Sequence, residues 1–75
     1  MVSFLERENS IQIEKDGTRT VFPKGVLSAH TEEGSNSIEL RLMASRKNIY
    51  SFNFDDTNLE GDDASTVLEN IEKII

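Results

Sequence analysis

Two alternating apolar runs, Ile38-Leu40-Leu42 and Tyr50-Phe52-Phe54, flank the polar segment Ser45-Arg46-Lys47-Asn48, and they constrain this chain more than any other feature. Side chains of a strand point alternately to its two faces, so each run marks a strand with one buried side. A slip of one residue would throw every aromatic to the wrong face, which makes the pairing of the two runs specific. With Ala44 opposite Asn48 across a three-residue loop, Leu42 meets Tyr50, Leu40 meets Phe52 and Ile38 meets Phe54. Aromatic–aliphatic cross-strand pairs of this kind contribute roughly 0.2–1 kcal/mol each.

A second hairpin precedes this one. Ser10-Ile11-Gln12-Ile13-Glu14-Lys15 alternates, Asp16-Gly17 follows, and Thr18-Arg19-Thr20-Val21-Phe22 runs back to Pro23. Asp-Gly between alternating runs predicts a type I′ turn, whose central residues both need positive φ. The two-residue loop sets Lys15 opposite Thr18, Glu14 opposite Arg19, Ile13 opposite Thr20 and Ile11 opposite Phe22. Val26–His30 reads as a further strand, and the polar segment Thr31–Asn36 as a loop. At the C-terminus, Ala64, Val67, Leu68, Ile71, Ile74 and Ile75 fall on one stripe of a helix, with Asp62 or Asp63 placed to cap its N-terminus.

The expected fold is α+β: a small antiparallel β-sheet of four or five strands, built from β-hairpins, with one C-terminal α-helix packed on one face. A rolled sheet or small open barrel stays open, because one sequence does not set strand order. Residues 1–75 are read as a single domain, with 1–8 as a flexible N-terminal arm. So small a core seldom supplies more than about 3–5 kcal/mol without staples. The chain has no cysteine, which excludes disulfides and thiolate metal sites, and its one histidine cannot build a zinc site alone.

Lys and Arg total 8 against 14 Asp and Glu, a formal charge of −6 that opposes the basic clustering phosphate backbones require. The aromatic set Tyr50, Phe52, Phe54 is accordingly read as core and not as a base-stacking platform. The N-terminal residues lack a signal peptide's apolar core, and no apolar run approaches the ~20 residues of a membrane span. A cytoplasmic location is expected.

The acidic linker Asp55–Asp63 matches part of the calcium-loop pattern, with Asp56, Asn58, Glu60, Gly61 and Asp62 at ligand or turn positions. The twelfth position, however, is Val67, which has no bidentate carboxylate, so a capping loop is the expectation. His30 has no nucleophile that the sequence alone places beside it, and catalysis requires that mutual geometry. The carboxylate pairs Glu32-Glu33, Asp55-Asp56 and Asp62-Asp63 read as solvated loop residues. Arg46-Lys47, the one adjacent basic pair, reads as a solvated turn. No catalytic residue, cofactor or metal is expected.

The run Asn48-Ile49-Tyr50-Ser51-Phe52-Asn53-Phe54-Asp55-Asp56, a short linker, and then Ala64-Ser65-Thr66-Val67-Leu68-Glu69-Asn70-Ile71-Glu72-Lys73-Ile74-Ile75 resembles small sheet-plus-terminal-helix proteins encoded by phages of gut bacteria. The resemblance covers under half the chain and carries no functional motif. It implies a virion or other phage structural component.

The function expected is a non-enzymatic structural or protein-interaction module within a larger assembly, and, on the resemblance, a virion component. The alternative is a small acidic regulator or inhibitor acting on a basic surface. The expected partner is a protein or a second copy, with neither nucleic acid nor membrane. Val21, Met43 and Ile49 are the expected contact residues: in the registers above they point away from the apolar faces, and a contiguous apolar patch rimmed by charge marks a contact site.

Overall fold

In the computed structural model, which describes residues 1–75, six strands precede one helix: β1 Val2–Glu6, β2 Ser10–Lys15, β3 Thr18–Pro23, β4 Leu27–His30, β5 Ser37–Leu42, β6 Asn48–Asn53 and α1 Ala64–Glu72. They form two three-stranded antiparallel sheets, β1-β2-β3 and β4-β5-β6, in place of the single sheet of four or five strands expected. The α+β class, the β-hairpins and the C-terminal helix are as read from the sequence.

The first hairpin has the expected register at all four pairs, from Lys15–Thr18 to Ile11–Phe22. Asp16 and Gly17 have φ of 52° and 80°, the type I′ signature. In such a hairpin the residues flanking the loop exchange both backbone hydrogen bonds, and bonded pairs then recur at every second residue. The bond from Lys24 N–H to Asn9 O, 3.1 Å, continues that phase.

Residues 1–8 are not a free arm. Val2–Glu6 pairs with β2 as β1, and Val2 and Phe4 are buried. The exposed Leu5 breaks the apolar alternation that would have marked this strand in the sequence. The linker after β6 covers the outer edge of β1. Val2 N–H donates to Asp56 O at 2.9 Å, and the Asn58 amide meets both groups of Phe4, its Oδ1 accepting at 2.8 Å and its Nδ2 donating at 2.9 Å. One side chain thus stands in for a strand neighbour.

The second hairpin departs from expectation by two residues. Leu40 pairs with Tyr50 and Ile38 with Phe52. The loop is longer than three residues: Arg46 N–H donates to Leu42 O, Leu42 N–H donates to Lys47 O, and Arg46 has φ 60°. A bulge at Ile49 adds one more residue to β6. A shift of two preserves face parity, so the aromatics still face the core.

That core joins Val2, Phe4, Ile11 and Ile13 of the first sheet to Leu27, Ile38, Leu40 and Phe52 of the second and to Ala64, Val67 and Ile71 of α1. Phe4 and Phe52 meet at 6.0 Å between ring centroids, and Phe22 and Tyr50 meet edge-on at 6.3 Å. The helix docks on β4 and β5 through the predicted stripe. Asp63 caps it, its carboxylate accepting from Thr66 N–H at 2.8 Å. The helix ends at Glu72, short of the stripe's last residues, because Ile74 and Ile75 form a terminal turn whose Ile75 carbonyl accepts from Gly25 N–H at 2.9 Å. No helix is long and apolar enough to cross a membrane.

Candidate functional site

Two surfaces stand out once the fold is built. The first is the outer face of the β4-β5-β6 sheet. Register sets Ser28 beside Arg41 and His30 beside Glu39, all four directed away from the core residues that alternate with them. Ser28 Oγ and His30 Nε2 lie 2.8 Å apart, a contact produced by i, i+2 spacing on one strand. Arg41 donates from both Nε and Nη2 to Glu39 Oε2, at 3.2 and 2.7 Å.

Two hollows share His30 and Arg41. One, of about 360 Å³, lies toward the Thr31–Ser37 loop and is lined wholly by polar residues, Glu32 and Glu39 among them. The other, of about 370 Å³, is lined by Ser28, His30, Arg41, Met43 and Arg46 and by no carboxylate.

The Ser28–His30 contact is the serine partner that the sequence did not place beside the histidine. Its signal was present in the period of two, hidden by the poor alternation of Val26–His30. A hydrolytic triad also needs a third group that orients the imidazole. Glu39, the acid opposite His30, gives its Oε2 to Arg41.

The second surface is the free edge of β3. The hydrogen-bond phase of the first hairpin turns the backbone groups of Thr18, Thr20 and Phe22 toward β2 and those of Arg19 and Val21 outward. No backbone or side-chain group meets Arg19 or Val21 on that side. The other edges differ. The linker covers β1, and on β6 the Ser51 carbonyl accepts from Lys15 Nζ at 3.3 Å and the Asn53 carbonyl from Asp56 N–H at 2.9 Å. The outer edge of β4 likewise has no hydrogen-bond partner, but none of its residues is exposed. Four of the six residues of β3 are exposed, the largest share in any strand.

The expected contact residues are dispersed. Val21, 56% exposed, lies on the outer face of the first sheet in a row with Gln12 and Leu5, which is 52% exposed. Met43, also 56% exposed, sits in the β5–β6 turn at the edge of the carboxylate-free hollow. Ile49 occupies the bulge, half-buried and packed against the core. Val21 thus lies on the first sheet and Met43 in the turn of the second sheet's hairpin, and Met43 does not lie opposite Ile49. Leu5 was missed because its segment was read as an arm.

The acidic linker performs structural work. Asn58 is held by Phe4, Asn70 Nδ2 donates to Glu60 O at 2.7 Å, and Asp63 caps α1. The Asp63 carboxyl is held below its ordinary value of 3.8 chiefly by the Thr66 backbone N–H, with the Thr66 side chain and Ser65 N–H adding to the effect and desolvation opposing it. No three His, Asp or Glu side chains gather as a metal site would require.

No family model, curated protein or solved structure matches this chain.

Proposed function

We propose that this chain is a non-enzymatic structural and protein-interaction module that assembles by strand addition along β3, the strand added being β3 of a second copy. The bare β3 edge carries the reading. Unpaired edge strands template pairing with another chain, and proteins ordinarily cover or blunt them. Here β1 is covered and β3 is not.

The edge is self-complementary. With a two-fold axis at Thr20, Arg19 of one copy pairs with Val21 of the other, and the reciprocal pair makes about four backbone hydrogen bonds. The aliphatic stem of each Arg19 then lies beside the exposed Val21 of the partner copy. Pro23, which has no N–H, ends the pairing on one side, and the Asp16-Gly17 turn ends it on the other.

The test is mass by light scattering across concentration for the parent and for Val21→Pro. The lost N–H points away from β2, so this variant keeps its own sheet. A parent dimer that Val21→Pro dissociates, with an unchanged circular dichroism spectrum, is expected. A parent that stays monomeric at millimolar concentration, or a dimer indifferent to the proline, overturns the reading.

A second reading, an acidic regulator bound to a basic surface, draws on the charge: only four of fourteen carboxylates make ion pairs. It requires a basic partner and steep salt dependence.

A further inference from the structure

The carboxylate-free hollow has the opposite sign to the chain that carries it. Acidic residues outnumber Lys and Arg by 14 to 8, yet Arg41, Arg46 and His30 converge there with Ser28 and Met43. We infer that this hollow binds a phosphate monoester group, independently of the β3 edge.

Each group supplies what such an anion requires. Arg41 spends Nε and one Nη2 hydrogen on Glu39, which fixes the plane of the guanidinium and leaves Nη1 free. Arg46 makes no ion pair and no side-chain hydrogen bond. Its backbone is held at φ 60°, one of only two non-glycine residues at positive φ, and the other, Asp16, belongs to a turn type that demands it. A non-glycine left-handed residue is worth a functional question, because the conformation has a cost that a glycine would avoid. In this turn it sets the Arg46 side chain on the rim that the hollow shares with Arg41. Ser28 adds a hydroxyl directly across from Arg41 and in contact with His30.

Planar guanidinium forks match the oxygens of phosphate, and two of them, with the Ser28 hydroxyl free to donate when His30 Nε2–H donates to its oxygen, provide donors for all three terminal oxygens. At about 370 Å³ the hollow, which is open to solvent, leaves room for the carrier to which a monoester is attached. Glu39 is the built-in opponent: it ties down part of Arg41 and shares the electrostatic field.

The experiment is an amide and arginine Nε–H nuclear magnetic resonance titration with inorganic phosphate and with a phosphoserine peptide, at constant ionic strength against chloride. Saturable shifts centred on Ser28, His30, Arg41 and Arg46 are expected. Arg46→Gln should weaken binding about tenfold or more, and Glu39→Gln, which frees Arg41, should tighten it. Tighter binding of the phosphopeptide than of inorganic phosphate is expected for a monoester on a protein carrier, and equal binding of the two overturns the monoester assignment. Non-saturable shifts, shifts spread equally over Lys47 and Arg7, or an affinity unchanged by Arg46→Gln overturn the inference.

Discussion

Gly61 sits where the linker turns into the helix, and a methyl group there has nowhere to go. A Cβ built on it lies 2.6 Å from Val67 Cγ2, 2.9 Å from Val67 N and 3.3 Å from Thr66 C. Carbon atoms in contact settle near ~3.5–4.0 Å, so about an ångström must be found. Val67 cannot give way easily. Its side chain is fully buried, and its N–H donates at 3.1 Å to Asp63 O in the first turn of α1. Gly61→Ala must therefore lift the helix N-terminus off the sheet or break that turn. Overpacking of this kind costs about 1–3 kcal/mol, on top of the backbone cost of an L residue at Gly61's φ of 156°. Gly34→Ala is the control: its φ is 79° with no atom within 4 Å of the new Cβ, so it has only the about 1–2 kcal/mol of a left-handed alanine. A further cost of about 2 kcal/mol lowers Tm by roughly 8–16 °C in a domain of this size. Thermal melts followed by circular dichroism should thus rank parent, Gly34→Ala and Gly61→Ala, with the last well separated. Equal Tm values for the two variants would falsify the close approach of linker and helix.

Two further outcomes follow from the helix. Ile71→Asp buries an unpaired carboxylate at a cost of several kcal/mol and should unfold the domain, whereas exposed Glu72→Ala should leave the urea midpoint almost unchanged; equal effects would mean that the helix docks by another face. The Asp63 cap contributes stability while its carboxylate is charged, so the contribution is present above 3.8, the ordinary value, and is lost as pH falls through the lower folded value. The stability gap between the parent and Asp63→Asn should therefore shrink in that acidic window, and a gap constant from about pH 7 to about pH 2 would refute the assignment.

What the sequence disclosed depended on the period of its signals. Asp16-Gly17 admits one turn geometry, so the whole β2–β3 register followed from two residues. The β5–β6 pairing kept its face and lost its register, because alternation fixes parity and not offset. The offset was set by the Met43–Arg46 turn, with an arginine at φ 60°, and by the Ile49 bulge, and neither carries a glycine to announce it. Met43 and Ile49 were paired across that assumed register, so their expected neighbourhood failed with it. β1 was hidden by Leu5, an apolar residue on the solvent face. The contact between Ser28 and His30 needed only their spacing of two, but recognising their strand needed the β5 partner that sets Arg41 and Glu39 beside them.

The linker Asp55–Asp63 explains why the two sheet edges of the first half differ. A loop rich in Asp, Asn and Glu resembles a ligand-binding segment, yet its chemistry is already committed within the fold. Asn58 completes β1, Glu60 is anchored by Asn70, Gly61 packs on Val67, and Asp63 caps α1. Protecting β1 in this way uses a segment that can reach only one side of its sheet. β3, on the far side of β2, receives nothing comparable. The same closure leaves the outer face of the second sheet clear, because the helix docks on the core side of β4 and β5. The bare β3 edge and the basic hollow on that outer face are thus both consequences of where the chain spends its last twenty residues or so.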